Sequence, residues 1–341
     1  MITIEEIRER IEKSENPLFF FDDDPDGLSS YLLLKRHFGK GKGISVKDVP
    51  DYNESFARKV DEHSPDLIVI LDMYDINHEF VENVNVPVIW IDHHMPVKKP
   101  GVHYFNPRLL DKNDNRPTSY WCYQITKHDF WVAMTGIVAD WHLDMIDELR
   151  EQYPDLLAES VKVPGDVIYN SKYGELIRMF AFLLKGKVSE VRRNISILTK
   201  IKDPYELLNK TTARARFVFK RFEKINNEYK MLRDKAFKTK PGNNVLAFTY
   251  PSTKTSFSAE LSNELIYHFN DKIVVVARDK DDYYRVSVRT GSNGINLNAL
   301  NSKILNDVNG NIGGHDHAMG GTIKKEDFNK FISNLELYAG K

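Results

Sequence analysis

The sequence predicts an α/β protein with an N-terminal doubly wound domain on a parallel sheet, a connecting helix and a smaller C-terminal α/β domain. Three observations predict it. Short, wholly apolar, β-rich runs alternate with helical patterns through residues 1–110. A long basic helical stretch at 205–240 then stops at Pro241-Gly242, a strong breaker. Strand signals return from residue 243 onward. The 341 residues suit about two domains.

The apolar runs are LFFF (18–21), DLIVIL (66–71) and VPVIWI (86–91). They lack the alternation of a half-exposed strand and suit strands buried on both faces of a parallel sheet. LSSYLLLKRHF (28–38), ending at Gly39, and ESFARKVDEH (54–63) read as intervening helices. Residues 118–200 read as mostly helical, with apolar stretches at WVAMTGIVA (131–139) and ELIRMFAFLL (175–184). In the connecting helix, Arg214, Arg216, Lys220, Arg221 and Lys224 read as a solvated face that Glu223 and Glu228 partly balance. The alternative is a track for a phosphate backbone. Beyond it, NNVLAFTY, DKIVVVARD and YYRVSVRT read as strands, SAELSNELIYHF as a helix, and KEDFNKFISNLELYA as a closing amphipathic helix. The domain limits expected are 1–204, 205–240 and 241–341.

Hydrophobic residues make up 41% and charged residues 28%, which suits a folded globular chain. The net charge of −1 carries no global basic field, so any polyanion site must be local. Cys122 is the single cysteine, which excludes an intramolecular disulfide and fits a reducing compartment. MITIEEIRERIEKSE lacks the apolar core of a signal peptide, and no run approaches the ~20 apolar residues of a membrane helix. The expectation is a soluble cytoplasmic protein with no membrane partner.

The chemistry lies where the strands end. FFFDDDPDGL (19–28) runs directly into Asp22, Asp23, Asp24 and Asp26. Carboxylates this close repel, and some pKa values must rise unless a cation neutralises them. DLIVIL ends at Asp72, VPVIWI at Asp92-His93-His94, and GIVADWHLD carries Asp140 after a fourth apolar run. Open parallel sheets bind ligands at the carboxyl ends of their strands, and right-handed crossovers bring those ends to one edge. Taken singly, Asp26 and Asp72 also read as helix caps or turn residues, and His94 as a loop histidine. The conjunction of four segments points instead to a metal site. Carboxylates with an imidazole suit Mn²⁺ or Mg²⁺. Two such ions about 3.5–4 Å apart activate water and stabilise in-line displacement at phosphorus. Asp23 points away by strand alternation, and Asp75 and His78 read as solvated loop residues.

These residues resemble the DHH phosphoesterase superfamily, and most closely its branch of RecJ-like exonucleases and oligoribonucleases. Asp24-Pro25-Asp26-Gly27 matches the D-x-D-G motif, Asp72 the lone acid after a strand, Asp92-His93-His94 the naming triplet, and Gly136 to Asp140 the G-x-x-A-D context. NPR (106–108) followed by PTSYWCYQI occupies the usual Asn-Pro and helix. IGGHDHAMGGTI (312–323) resembles the glycine-rich signature of the DHH-associated domain, and YRVSVRTGSNGINLNAL (284–300) its preceding strand with Arg289. The resemblance implies metal ligands Asp22, Asp24, Asp26, Asp72, His93 and Asp140, and catalytic roles for Asp92, His93 and His94. It implies substrate binding by Arg289, Gly313, Gly314 and His315.

Three positions depart from the pattern. Phe20 stands where many members carry a histidine, and Asp22 can supply an oxygen ligand instead. Ile312 and Met319 replace a glycine and an alanine of the glycine-rich signature, which would narrow or reshape a substrate cleft.

The function implied is a Mn²⁺-dependent phosphodiesterase with two ions, Mg²⁺ being the alternative. It would hydrolyse single-stranded RNA or DNA, or short oligoribonucleotides, from one end to nucleoside monophosphates by two-metal-activated water. The chain is shorter than long RecJ-type enzymes, which favours short oligoribonucleotides. One alternative is a phosphatase or phosphodiesterase acting on a cyclic dinucleotide, 3′-phosphoadenosine 5′-phosphate or polyphosphate. The other is a non-catalytic RecJ-like partner of a replicative helicase, toward which Phe20 is a step and the other acids are not. A second copy of the chain or a replication complex are the partners left open.

Overall fold

The architecture comes from a computed structural model that describes residues 1–47, 54–158, 160–291 and 294–339. The chain divides into two compact units, Met1–Phe222 and Glu223–Lys341. Ser292 and Asn293, within the segment compared with the second domain's signature strand, lie outside the described residues.

The first unit holds strands β1 (Pro17–Asp22), β2 (Lys42–Val46), β3 (Leu67–Leu71), β4 (Val88–Ile91) and β5 (His103–Phe105). Its helices are α1 (Ile4–Lys13), α2 (Pro25–Phe38), α3 (Glu54–His63), α4 (His78–Asn83), α5 (Thr118–Thr126), α6 (Phe130–Ala139), α7 (Ile146–Gln152), α8 (Pro164–Asn170), α9 (Tyr173–Leu183), α10 (Val188–Leu198) and α11 (Pro204–Leu208). Helix α12 (Ala213–Ala236) contains the division between the units. The five strands are all parallel, in the order β2-β1-β3-β4-β5. The order reverses between β1 and β3, the switch point where open sheets of this kind bind ligands.

Register then sets the geometry of the edge. Phe21 pairs with Leu71, Leu71 with Ile91 and Ile91 with Phe105. Asp22, Asp72 and Asp92 therefore leave their strands at nearly one level. The central strands are rigid because both faces are buried, as their unbroken apolar runs predict. Phe20 is part of that packing, with its ring against Phe56 and Phe80. It fills the core at the position where the resemblance leads to the expectation of a histidine. Edge strands β2 and β5 carry weaker patterns, half-buried KGISV and three-residue HYF.

The helical stretch expected over 205–240 is two helices, α11 and α12. Glu206 folds back at the break, accepting from Thr212 Oγ1 at 2.7 Å and from Arg214 Nε at 2.6 Å. Lys210 adopts a left-handed conformation there, with φ of 55°. Among the described residues no helix is long and apolar enough to cross a membrane.

The second unit contains β6 (Val245–Tyr250), α13 (Ser258–His268), β7 (Ile273–Lys280), β8 (Tyr283–Thr290), α14 (Leu297–Ile304), β9 (Gly310–His315), β10 (Ala318–Lys324) and α15 (Phe328–Ala339). Its sheet runs β6-β7-β8-β10-β9, parallel between β6 and β7 and antiparallel elsewhere. The glycine-rich signature is the β9–β10 hairpin. Ile312 and Met319 are buried in this unit's apolar core beside Val288 and Phe331. Their departure from the family pattern is thus a packing change rather than an intrusion into a cleft.

Candidate metal centre

The first three acids flank the start of α2. Asp22 ends β1, and Asp24 caps α2, accepting from the Gly27 N–H at 2.9 Å. Asp26 sits in the first helical turn and is 1% exposed. Its two oxygens accept from the Thr118 and Ser119 backbone N–H groups at 2.8 and 3.0 Å. These are unpaired donors at the start of α5, where a carboxylate also meets the favourable end of the helix dipole. Each oxygen keeps a lone pair beyond these bonds. Asp23 turns away and pairs with Lys47 at 3.2 Å.

Asp72 follows β3 and adopts φ of 59°, a left-handed conformation that aspartate tolerates better than most residues. It is 2% exposed, accepts from Thr118 Oγ1 at 3.1 Å, and has a carboxylate oxygen within 4.8 Å of one from Asp24. His93 follows β4. Its Nδ1 lies 2.9 Å from the Asn115 carbonyl oxygen. A carbonyl only accepts, so Nδ1 carries the proton and Nε2 presents a lone pair. That Nε2 lies 3.5 Å from both Asp72 Oδ1 and Asp140 Oδ2. Asp140 caps the C-terminal end of α6. At Gly136 a Cβ would come within 2.5 Å of Ser119 Oγ and 2.9 Å of Ser29 Cβ. Its absence lets α6 pack close to α2 and α5, and the helix then delivers Asp140 to the edge.

A second group surrounds Asp92, which is fully buried. His94 Nδ1 bonds to its Oδ1 at 2.7 Å, and the His94 N–H donates to Oδ2 at 3.1 Å. Asn106, from the NPR motif, donates to Asp92 Oδ2 at 3.2 Å and to the His94 carbonyl at 2.9 Å. Tyr104, stacked on Trp90 with centroids 4.0 Å apart, places its hydroxyl 3.4 Å from Asp92 Oδ2. Asp92 is thus held by His94, Asn106 and Tyr104. Asp75 pairs with Lys99 and His78 with Glu82, so neither joins the site.

One ligand atom each of Asp72, His93 and His94 lies within 4.8 Å of the others, and the same holds for Asp22, Asp24 and Asp72. Asp72 is common to both groups. Burial, then the charge of Asp24, pushes the Asp22 carboxyl up to about 8. Burial and Asp26 push Asp24 up to about 6. Asp72 and Asp140 are raised well above the usual range by burial and then by Asp26 and Asp24. Burial holds His93 below its ordinary value, hence neutral. For His94, burial acts downward, but the hydrogen bond and charge of Asp92 outweigh it and raise the imidazole. Crowded oxygens, a neutral imidazole lone pair and uncompensated negative charge fit hard divalent cations such as Mn²⁺ or Mg²⁺.

In the second unit Arg289 lies on β8. It donates from Nε to Asn263 Oδ1 at 2.7 Å, and from Nη1 to the Val288 and Met319 carbonyls at 2.9 and 3.3 Å. Gly313, Gly314 and His315 share strand β9, and His315 is exposed. Gly314 has φ of 146°, and a Cβ there would meet the Ala318 carbonyl at 2.4 Å. Gly313 faces open space. On α12, Arg214 is bound to Glu206 and Arg221 to Glu190, while Arg216 donates to the Lys210 carbonyl. These arginines serve local structure.

Sequence reasoning missed Thr118, Tyr104 and Asn115. Thr118 lies within the PTSYWCYQI segment, but only the fold brings it to Asp26 and Asp72. Asn115 acts through its backbone carbonyl, which leaves no mark in residue identity.

Two family patterns match the chain: the DHH family, N-terminal domain, over residues 18–158, and the DHHA1 domain over 242–341. No curated protein matches by sequence. RecJ from Thermus thermophilus, solved with Mn²⁺, is 19% identical with a TM-score of 0.62, covering 99% of this chain and 54% of that one. The chain thus spans about half the length of that relative. A second exonuclease RecJ, solved bound to manganese, is 18% identical, with a TM-score of 0.60 over 100% of this chain and 95% of that one. A pGpG-specific phosphodiesterase from Vibrio cholerae is 12% identical, with a TM-score of 0.54 over 96% of this chain and 99% of that one. At these identities the likeness is one of fold.

Proposed function

Because the chain belongs to the DHH superfamily, we propose that it is a divalent-metal-dependent phosphodiesterase. It releases nucleoside monophosphates from one end of short single-stranded oligonucleotides. One observation carries this reading: His93 commits its Nδ1 proton to the Asn115 carbonyl and directs its Nε2 lone pair among the carboxylates of Asp72 and Asp140. An imidazole fixed in this tautomer is prepared to ligate a metal.

Asp22, Asp24, Asp26, Asp72, His93 and Asp140 would hold two ions, Mn²⁺ or Mg²⁺. Bound ions supply Lewis-acid charge to phosphoryl oxygens and make water acidic enough to act as nucleophile near neutral pH. The chain's own residues do the rest. Asp26, braced by two amides, sets a fixed carboxyl group at the base of the cluster. Asp92 fixes His94 in orientation and favours its protonated form. The other ring nitrogen of His94 then donates to a phosphate oxygen, or passes its proton to the leaving oxygen. In the second unit Arg289 and His315 would bind phosphate, with Gly313 and Gly314 admitting an anion close to the backbone.

The solved neighbours support a nucleotide diester as substrate, one being an exonuclease of the RecJ type and another acting on pGpG. The second favours a narrower reading, a dinucleotide-specific phosphodiesterase, because the match runs over 99% of that enzyme. Retention of the acid cluster argues against a purely structural replication partner.

End-labelled RNA and DNA, from long strands down to dinucleotides, tests these readings with Mn²⁺ and with chelator. Metal-dependent laddering supports the exonuclease, and cleavage confined to dinucleotides supports the narrower reading. No cleavage of any length with Mn²⁺ present overturns both.

A further inference from the structure

Three large apolar side chains stand exposed within two residues of the metal centre's own groups. Tyr74 follows Asp72 and is 62% exposed, Met95 follows His94 and is 69% exposed, and Trp141 follows Asp140 and is 39% exposed. Trp141 is the unusual one. It occupies the left-handed position after α6, with φ of 63°. That position usually belongs to glycine, and a bulky side chain there is strained. The backbone around it is fixed. The Asp140 N–H donates to the Gly136 carbonyl at 3.0 Å, the Trp141 N–H to Val138 at 3.1 Å, and the His142 N–H to Ile137 at 3.1 Å. His142 is further tied to Asp144 at 3.1 Å. Trp90 and Trp131 are buried in the core, whereas Trp141 is the one tryptophan among the large exposed hydrophobic residues. No hydrogen bond or ring contact engages the Trp141 indole among the described residues.

An exposed indole on a strained, hydrogen-bonded stretch of backbone, next in sequence to an acid of the candidate metal centre, needs a reason outside the fold. We propose that Trp141 is a specificity-determining residue that stacks on the nucleobase attached to the scissile phosphate. The proposal rests on reading the site as a nucleotide phosphodiesterase. Stacking on an indole is tolerant of base identity, since every base offers a π-face, but it requires a base. Trp141 thereby selects nucleotide esters over other phosphodiesters.

The test compares a dinucleotide with the same diester built from abasic riboses, in Mn²⁺, for the unaltered chain and for Trp141→Asn and Trp141→Phe. Asparagine tolerates the left-handed backbone but offers no ring. Trp141→Asn should raise KM for the dinucleotide about tenfold, within the range of single-base stacking. It should leave the abasic substrate little changed, and Trp141→Phe should restore most of the loss. Equal effects on both substrates, or none, overturn the stacking role. Adenosine 5′-monophosphate quenching of tryptophan fluorescence gives a readout without turnover. Quenching that is lost in Trp141→Asn supports stacking even if the unaltered chain cleaves nothing, an outcome that would overturn the phosphodiesterase reading alone. Neither cleavage nor quenching overturns both.

Discussion

The chain builds two five-stranded sheets and treats their polar groups in opposite ways. In the first, strands β1, β3 and β4 stop at one level, and each is followed by an acid. Asp22, Asp24, Asp72 and Asp140 are left with raised pKa values and, among the described residues, no lysine or arginine paired with them. In the second, charge is satisfied internally. Glu336 accepts from the Asn244 and Val245 N–H groups at 2.8 and 3.0 Å, Tyr229 bonds to Glu264, and Arg289 is held by Asn263 and two carbonyls. A parallel sheet gathers strand ends at one edge, so it can concentrate ligands that no local structure requires. The mixed sheet offers a rigid platform that leaves open space beside the backbone at Gly313. Instability in the first unit is where cation-dependent chemistry belongs.

The sharpest way to break this contrast is to remove its centre. His93→Ala should lower turnover by more than about 100-fold, beyond what outer partners of a metal ligand typically cost. Circular dichroism and the melting temperature in chelator should change little, because the imidazole Nε2 faces the Asp72 and Asp140 carboxylates rather than packing in an apolar cluster. Unchanged turnover in the purified variant would remove His93 from the site.

The second test uses protons. Asp22 and Asp24 have folded pKa values of about 8 and about 6, above those of the unfolded chain. Their protonated forms therefore stabilise the fold. That contribution is complete below about pH 4, the ordinary aspartate value, and is lost as pH rises through 6 and then 8. The metal-free protein should lose melting temperature between pH 5 and pH 8. Mn²⁺ should restore it, with a larger shift at pH 8 than at pH 5. Equal Mn²⁺ shifts at the two pH values would mean that crowded carboxylates are not the binding site.

Much of the first sheet was legible because burial on both faces leaves an unbroken apolar run, and the residue after each run is then conspicuous. LFFF before Asp22, DLIVIL before Asp72 and VPVIWI before Asp92 announced both the strands and the edge. KGISV and HYF did not read as strands, since an edge strand needs less apolar surface and three residues carry no period. Within the site, residue types revealed acids and imidazoles but not their division of labour. That Asp26 braces two amides, or that the Asn115 carbonyl sets the His93 tautomer, depends on contacts 92 and 22 residues apart in sequence. Trp141 carries no signal in the sequence, and its left-handed backbone conformation with an exposed ring is visible only in the structure.

A smaller effect separates the two histidines. Asp92 commits Oδ1 to His94 and belongs to neither group of close ligand atoms, so Asp92→Asn should leave metal content intact. It removes the anion that favours the His94 proton, and kcat should fall about 100-fold, the low end for a positioned acid. Metal binding can be read by calorimetry on the same preparation. Loss of the metal together with activity would place Asp92 among the ligands instead.

The smallest effect belongs to the satisfied sheet. Arg289→Ala removes a guanidinium whose plane is already fixed by Asn263 Oδ1 and the Val288 and Met319 carbonyls. An arginine prepared in this way loses little entropy when it meets phosphate. Its loss should raise KM about tenfold, one charge-assisted contact, with kcat nearly unchanged. Asn263→Ala keeps the charge and releases one restraint, so its KM should rise less than that of Arg289→Ala. A fall in kcat at constant KM would show that Arg289 acts on the transition state, and the contrast between a reactive sheet and a holding sheet would then fail at this residue.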